Sequence, residues 1–501
     1  MRRLSLALQS LIALPLVVIM LVACAPDPAE ESTIPASTLV GAPATSQPPS
    51  IATAVASTPI MPTPRPTRQP PEQLSRTYTV QHGDTMTSIA AVFDTSVEEL
   101  MQVNGLTDPN QLTVGQILQI PMKVTVAGPD KLLIPDSELV YSPAFVNFDV
   151  ETATASYTGW FNTYTELMAN GETLTGPEIV ELVSTQYSVG PRVLLALLEL
   201  QGEWLTNPDP SPQARLYPLG YVRDGWDGLA AQLMWAADTL NSGFYGWLHE
   251  DLWTAPLSDG THLQFALTLN SGTVGLQRLM VVDADYETLK QRLLAFDEVY
   301  RRLWGDPFVY AIEPLLPTDA TAPTLALPWS QGETWYYTGG PHGGWGDGSA
   351  WAALDFATSE QNLGCTPSRM WVTAVAPGLI VVSDEGMVLQ DLDSDGFPGT
   401  GWVLLYMHMA AEGRVGAGSS VSTGDRIGHP SCEGGFSNAS HLHIARRFNG
   451  VWIAAEHPQW PLVLGGWRAH NGGRPYDGTL SKGEILKTAE EDWVPANAIL
   501  H

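Results

Sequence analysis

Positive charge is scarce in this chain. Its 501 residues include only 24 Lys and Arg against 53 Asp and Glu, which gives a formal net charge of −29. Nucleic-acid binding needs clustered cations, so this composition argues against DNA or RNA as a partner. The acidic excess indicates little else beyond solubility. A hydrophobic content of 44% is ordinary for folded domains, and the length suffices for about three of them.

Cysteine is scarce as well, and its three occurrences are Cys24, Cys365 and Cys432. Residues 1–23 combine a basic start, an apolar stretch and small residues before Cys24, which is typical of a secretion signal. This segment resembles the lipobox of bacterial lipoproteins. The resemblance implies a lipid on Cys24, a membrane anchor and an extracytoplasmic location facing the cell wall. The alternative is an uncleaved membrane helix, since about 18 apolar residues can just span a bilayer.

With Cys24 lipidated, the two other cysteines are free to pair in an oxidising compartment. We therefore predict a disulfide between Cys365 and Cys432, with two unpaired buried thiols as the alternative.

Residues 24–75 are rich in Pro, Thr, Ala and Ser and hold 12 of the 39 prolines. They lack periodic apolar residues and cannot form a core. We expect a linker that carries the folded parts away from the anchor.

Residues 76–122 predict a small α+β domain with the order strand, helix, helix, strand. Alternation around Tyr78 indicates the first strand, Asp84 or Thr85 can cap the first helix, and Ser96 can cap the second. The whole segment resembles the LysM domain. The resemblance implies binding to N-acetylglucosamine-containing glycan of peptidoglycan, with Gly83, Asp84 and Thr85 in the first loop of the groove.

Residues 135–315 predict an all-α domain, because apolar residues recur at helical spacing after start signals at Pro177 and Pro191. The phrase "VGPRVLLALLELQGEW" resembles the first catalytic helix of lysozyme-like lytic transglycosylases. The general-acid Glu of that family falls on Gln201, which has no titratable proton, and its neighbours Glu199 and Glu203 point in different directions. We expect a non-catalytic domain, with glycan cleavage as the alternative.

Eight of the eleven histidines follow residue 329. His342 precedes Asp355 in "ALDFA", His408 ends the apolar run "VLLYMHM", and His441 and His443 form a His-x-His pair in "ASHLHIA". Residues two apart on a strand point to the same side. A catalytic zinc site uses three nitrogen or oxygen ligands and leaves one position for water, so this set can supply the ligands with two histidines to spare.

This combination resembles the M23 family of zinc metallopeptidases, the LytM and lysostaphin-like endopeptidases, with the long His–Asp spacing of the LasA-type branch. The resemblance implies a mainly antiparallel β domain over residues 325–470, followed by an extension over 471–501. It implies Zn²⁺ bound by His342, Asp355 and His443, with His408 and His441 as the catalytic pair. Tyr337 is a further candidate donor to the oxyanion, with Tyr336 competing for that role.

Asp391, Asp393 and Asp395 in "DLDSDG" mimic the start of a calcium loop, but the Glu expected later is replaced by Trp402. A polar hairpin turn is the alternative to a Ca²⁺ site.

These features together predict a multidomain, membrane-anchored zinc endopeptidase that cuts peptide cross-links of peptidoglycan and is targeted by its LysM module. Two alternatives remain. One is a non-enzymatic regulator of other wall hydrolases, and the other is a bifunctional hydrolase whose helical domain cleaves glycan.

Overall fold

The computed structural model describes residues 75–81, 83–93, 95–121, 126–249, 251–360 and 363–501. The predicted signal peptide 1–23, Cys24 and the linker up to residue 74 lie outside these ranges. Within them, no helix combines the length and the apolar character that a membrane crossing requires.

The amino-terminal module has the predicted order of elements. Its elements are β1 (Ser75–Thr79), α1 (Met86–Val92), α2 (Val97–Val103) and β2 (Ile117–Pro121). Thr85 and Ser96 cap the two helices, each in a reciprocal capping box with the residue three positions later. The antiparallel β1–β2 pair and the two helices enclose a small core around Leu100, Leu118 and Ile120.

The middle region is mainly helical. Its elements are β3 (Val126–Ala127), α3 (Asp136–Leu139), α4 (Val150–Thr154), β4 (Thr165–Leu167), β5 (Thr173–Thr175), α5 (Gly176–Tyr187), α6 (Pro191–Gly202), α7 (Pro212–Leu216), α8 (Leu229–Leu248), β6 (Thr254–Pro256), β7 (His262–Gln264), α9 (Ser271–Met280) and α10 (Tyr286–Trp304). The prediction of an all-α domain is therefore wrong in detail. Short hairpins pair β4 with β5 and β6 with β7, and β3 joins β7 in parallel. Strands of two or three residues are too short to show a period of two in the sequence.

A buried ion pair holds the helices of this region together. The Glu138 carboxylate accepts two hydrogen bonds from the Arg192 guanidinium, at 2.6 and 2.8 Å, and one from the Tyr300 hydroxyl. These contacts join α3, α6 and α10. Because a buried charge is tolerated only when it is paired and hydrogen-bonded, this cluster constrains how the three helices pack.

The carboxyl-terminal region is built from β strands. They are β8 (Thr334–His342), β9 (Ala353–Ala357), β10 (Val372–Thr373), β11 (Gly378–Asp384), β12 (Met387–Asp391), β13 (Trp402–Met407), β14 (Ser420–Val421), β15 (Arg426–Gly428), β16 (Leu442–Phe448), β17 (Val451–Trp452), β18 (Val463–Leu464), β19 (Trp467–Asn471), β20 (Gly478–Lys482), β21 (Ile485–Thr488) and β22 (Ala498–Leu500). The main antiparallel sheet has the order β14-β11-β12-β13-β16-β9-β8-β22.

Residues 471–501, predicted as an extension beyond the peptidase region, are part of this fold. β20 and β21 continue a second sheet, β18-β19-β20-β21, and β22 pairs with β8 at one edge of the main sheet. The local sequence does not indicate the pairing of β22 with β8, because the two strands are about 160 residues apart in the chain.

The main sheet is buried on both faces, which explains why its strands are almost continuously apolar. On one face, Met387, Leu389, Val403 and Leu405 belong to the same core as the helices of the middle region. The alternating residues, such as Val388, Leu404, Tyr406 and Ile444, form a separate core on the other face.

Hydrogen bonds across the shared core tie the helices to the sheet. Arg447 donates to the Thr185 carbonyl near the end of α5, at 2.9 Å, and Ser188 donates to the Gly450 carbonyl, at 2.7 Å. The Tyr245 hydroxyl on α8 accepts from the Trp452 amide. The middle region is thus a layer packed on one face of the sheet.

Candidate metal centre

Three predicted ligand residues come from neighbouring strands. His342 ends β8, Asp355 is the central residue of β9, and His443 is the second residue of β16. His443 is paired directly with Asp355, and His342 with Ala353, so the register of the sheet brings the three side chains to one place. Each of them is more than nine-tenths buried.

The spacing of their donor atoms fits one zinc ion. His342 Nε2 lies 3.0 Å from His443 Nδ1 and 3.4 Å from Asp355 Oδ1, and His443 Nδ1 lies 3.3 Å from Asp355 Oδ1. Ligand atoms about 2.0–2.1 Å from a tetrahedral zinc ion are about 3.3 Å from one another. Three protein ligands at this spacing leave a fourth position open, as catalytic zinc sites do.

The outer hydrogen bonds of the two histidines orient their free nitrogens toward this point. His342 Nδ1 donates to the Gly340 carbonyl, at 2.8 Å, and His443 Nε2 donates to the Gly344 carbonyl, at 3.1 Å. The unprotonated nitrogens that remain, His342 Nε2 and His443 Nδ1, face each other. Asp355 Oδ1 is buried beside them without a hydrogen-bond partner. Two ring nitrogens and a carboxylate oxygen turned toward one another form a donor set suited to a cation, and backbone partners of this kind are typical of metal-bound histidines.

The pKa values around the cluster follow from burial and charge. Burial favours the neutral carboxyl, yet His342 and His441 beside it hold the pKa of Asp355 well below its usual range. Burial also opposes protonation of His342, but the Asp355 carboxylate outweighs it and raises the pKa of that histidine. For His443 burial dominates and lowers the pKa. Asp355 is therefore ionised, as a metal ligand must be.

A glycine next to the cluster makes room for the carboxylate. Gly339 lies opposite Asp355 across the β8–β9 pair, and a Cβ atom at position 339 would collide with Asp355 Oδ2. The pairing register shifts on both sides of Gly339, so β8 is irregular where it approaches the site.

The two predicted catalytic histidines stand beside the three ligand residues. His441 precedes β16, and its Nε2 lies 3.7 Å from Asp355 Oδ1. The His408 ring centroid lies 4.5 Å from that of His441. His408 immediately follows β13, where the sequence pattern continued the strand, and has a left-handed φ of 65°. This conformation is costly for a residue with a side chain and occurs preferentially at functional sites.

In both of these histidines Nδ1 is committed to a backbone carbonyl, which leaves Nε2 as the ring nitrogen available to a substrate or a water. His408 Nδ1 donates to the Glu433 carbonyl, at 3.0 Å, and His441 Nδ1 donates to the Ala439 carbonyl, at 2.8 Å. Burial, together with His441 and His443 nearby, lowers the pKa of His408 to about 3. His408 is therefore neutral near pH 7.

Sequence reasoning missed Tyr476. Its ring stacks on that of His342 with the centroids 4.2 Å apart, and half of the side chain remains exposed. It has a φ of 70° and exchanges backbone hydrogen bonds with Gly340 and Pro341 on β8. Tyr476 belongs to the segment predicted as an extension, and only the packing of β19 and β20 against β8 brings it to the site.

Two tyrosines are further candidates. Tyr337 is fully buried: its ring packs on Phe356, and burial together with the charge of Asp355 raises the pKa of its hydroxyl, whereas Tyr336 contacts Trp493. Of the other histidines, His429 contacts Trp371, His457 contacts Trp460 and His470 contacts Glu456. His470 lies within β19.

Asp391, Asp393 and Asp395 do come together, but calcium is not supported there. The Asp391 carboxylate accepts hydrogen bonds from the amides of Asp393, Ser394 and Gly396, so it closes its own turn. Burial and the adjacent Asp391 raise the pKa of Asp393 to about 6. This geometry is that of a polar hairpin turn.

The predicted disulfide is present between Cys365 and Cys432. Ser440 donates to the carbonyls of Gly364 and Thr366, at 2.7 and 2.6 Å. The segment 364–366 thus holds both ends of the loop that runs from residue 433 to 439, next to the predicted catalytic histidines.

In the LysM module, the three predicted groove residues are adjacent in the β1–α1 turn. The Asp84 carboxylate accepts from the Tyr78 hydroxyl and the Gln81 amide, both at 2.7 Å, and Thr85 caps α1. Gly83 has a φ of 95°, which a residue with a side chain rarely adopts. The side chains of Asp84 and Thr85 therefore stabilise the β1–α1 turn through hydrogen bonds to nearby groups.

At the positions that match the general-acid Glu of lytic transglycosylases, the middle region has no acidic side chain placed to cleave glycan. Glu199 is buried and accepts from the Leu205 amide and the Thr206 hydroxyl, and it also pairs with Arg302. Gln201 is exposed and is one of the residues that line a cavity of about 90 Å³, and Glu203 follows the last residue of α6 on the surface.

Known proteins resemble separate parts of this chain. Residues 78–121 match the LysM domain family, and residues 132–317 match the family described as LasA, N-terminal domain. The middle region is thus related to that domain, whereas its lysozyme-like character remains a prediction. Protease LasA of Pseudomonas aeruginosa is 27% identical over 324 residues, which cover 60% of this chain and 72% of that protein. The amidase XlyA of Bacillus subtilis, an N-acetylmuramoyl-L-alanine amidase, is 31% identical over 120 residues, covering 23% of this chain and 40% of its own length.

Among solved structures, the M23 metalloprotease pseudoalterin from the deep sea is 24% identical. The match covers 34% of this chain and 96% of that chain, with a TM-score of 0.28. The catalytic domain of lysostaphin from Staphylococcus simulans is 25% identical, with 25% and 90% covered and a TM-score of 0.18. The similarity to protease LasA, together with the His–Asp–His cluster, shows this chain to be a zinc metalloendopeptidase.

Proposed function

We propose that this protein is exported, binds bacterial peptidoglycan through its LysM module and hydrolyses peptide cross-links in it. The observation that carries the proposal is the mutual approach of His342 Nε2, His443 Nδ1 and Asp355 Oδ1 to within 3.0–3.4 Å, with His441 Nε2 3.7 Å from that same carboxylate oxygen. A lipid on Cys24 would anchor the protein to the membrane, facing the wall.

In this proposal His342, Asp355 and His443 hold the zinc ion. When bound, zinc polarises the carbonyl of the peptide bond and makes water a stronger nucleophile near neutral pH. His441 Nε2 accepts the proton of the attacking water, because Nδ1 of the same ring is already committed to the Ala439 carbonyl.

His408 is the second proton-handling group. Being neutral, His408 can accept at Nε2 the proton that His441 takes from the attacking water and pass that same proton to the nitrogen of the cleaved bond, which would otherwise have to depart as an amide anion. The Glu433 carbonyl fixes its ring orientation through Nδ1. Tyr476 covers one face of His342 and limits the rotation of that ring.

The LysM module assists this reaction by keeping the protein bound to the cell wall. Binding of glycan raises the local concentration of cross-links around the zinc site without adding contacts in the site itself. The similarity to XlyA, an N-acetylmuramoyl-L-alanine amidase, supports a wall substrate. No observation on the middle region favours cleavage of glycan as a second activity.

The test compares two variants on purified peptidoglycan. His443→Ala should lose both bound zinc and hydrolysis, whereas His441→Ala should keep stoichiometric zinc and lose hydrolysis. Zinc is measured by elemental analysis, and products are identified by mass spectrometry as new amino termini. Stoichiometric zinc in His443→Ala would refute the ligand assignment. Reducing or anhydro-sugar ends without new amino termini would refute peptide cleavage.

A further inference from the structure

An exposed phenylalanine lies beside the catalytic pair. Phe436, in the loop 433–439, is 94% exposed, and no large apolar side chain in the described ranges is more exposed. An exposed aromatic ring gains stability only when something covers it. Single exposed apolar residues are common on protein surfaces, so the position of this one has to be argued from its surroundings.

The loop 433–439 carries the partners of both catalytic histidines. Its first residue supplies the Glu433 carbonyl that orients His408, and its last supplies the Ala439 carbonyl that orients His441. Ser437 Oγ also lies 3.3 Å from His441 Nδ1. The backbone of the loop therefore lies directly against the reacting groups, with Phe436 at its centre.

Contacts on both sides hold this loop in place. The Cys365–Cys432 disulfide and the hydrogen bonds of Ser440 attach its ends to the segment 364–366. On the other side, Gly434 approaches the backbone of Glu385 so closely that a Cβ atom would collide with it. Glu385 in turn accepts hydrogen bonds from Asn170 and Gln186 of the helical layer, at 3.0 and 3.2 Å.

Proximity determines what Phe436 can contact. A Cβ atom at Gly435 would be 4.0 Å from His408 Cε1, and consecutive Cα atoms are about 3.8 Å apart. An extended peptide advances about 3.3–3.6 Å per residue, so a substrate bound at His408 would come within reach of Phe436 about two residues from the bond being cut. A phenyl ring has no polar atom, so it suits an apolar side chain.

We infer that Phe436 is a specificity-determining residue: it contacts an apolar side chain of the peptide substrate within two positions of the cleaved bond. The inference rests on the proposed function. The anchored loop 433–439 presents the ring at a defined place, so the preference is built into the free protein rather than created by binding.

The test uses the full chain and synthetic peptides copied from the fragments that it releases from peptidoglycan. Each peptide carries glycine, alanine or leucine at one of the two positions on either side of the cut bond. At one position, the wild-type kcat/KM should be about tenfold higher for leucine than for glycine, because contact with the ring buries the added methyl groups. Phe436→Ala should reduce this ratio to about threefold or less, and Phe436→Leu should retain part of it.

Two controls separate the possible failures. Zinc content reports whether Phe436→Ala leaves the metal site intact, and Leu167→Ala, an exposed apolar residue on β4, should keep the wild-type ratio. The inference is overturned if Phe436→Ala keeps the wild-type preference for leucine, or if its kcat/KM falls equally for all peptides. The proposed function stands in either case. Failure of the wild-type protein to release any peptide fragment overturns the proposed function itself.

Discussion

Removal of the Cys365–Cys432 disulfide should affect both stability and catalysis. The two cysteines are 67 residues apart, and a cross-link of that span lowers the entropy of the unfolded chain by an amount equivalent to about 4 kcal/mol at 25 °C. Because the helical layer shares its core with the sheet, residues 126–501 are expected to unfold together, and for a unit of this size each kcal/mol shifts Tm by about 1–2 °C. The double variant Cys365→Ser/Cys432→Ser is therefore expected to melt about 4–8 °C lower.

The same variant should hydrolyse peptidoglycan more slowly while it still binds zinc. The disulfide and Ser440 attach the loop 433–439 to the segment 364–366, and that loop orients His408 and His441. None of the three proposed zinc ligands belongs to the loop. We therefore expect kcat to fall by more than the zinc content, measured below the Tm of the variant.

Calorimetry, zinc analysis and hydrolysis of purified wall check this prediction. Reductant should lower the Tm and the activity of the wild type, and it should change neither in the double variant, which is the matched control. A double variant that melts within about 2 °C of the wild type would refute the stability argument. Undiminished kcat would refute the claim that the disulfide positions His408 and His441 for the proposed catalysis.

Three further outcomes are expected. Gly339→Ala should weaken zinc binding, measured by competition with a chelator, because the new methyl group displaces the Asp355 carboxylate; unchanged affinity would contradict the packing described. Arg192→Met should lower the free energy of unfolding by about 3–5 kcal/mol in a urea titration, because it leaves Glu138 buried without its ion pair. Arg301→Met, which removes a surface ion pair, should lower it by at most about 1 kcal/mol. Similar losses in the two variants would contradict the reasoning. Burial lowers the pKa of His457 to about 4, below the value of about 6.5 for the unfolded chain. Protonation then favours unfolding, so stability is full above about pH 6.5 and falls as the pH drops toward 4, and His457→Gln should flatten the dependence of Tm on pH in this window.

Local signals in the sequence predicted much of the molecule. The caps at Thr85 and Ser96 begin the two LysM helices, and Pro177 and Pro191 lie at the starts of α5 and α6. The apolar runs before His408 and after His441 form β13 and β16. Each of these features depends on residues close in the chain, whose backbone preferences act before any long-range contact forms.

The sequence by itself determined which side chains could ligate a metal, because residue type and the two-residue period of a strand are local properties. Only the tertiary structure decided that His342 and His443, 101 residues apart, approach to 3.0 Å, since sheet register is set by pairing between distant strands. It also decided that Tyr476 stacks on His342 and that the helical layer shares its core with the sheet. Those contacts depend on how remote surfaces fit together, and no short stretch of residues encodes that fit.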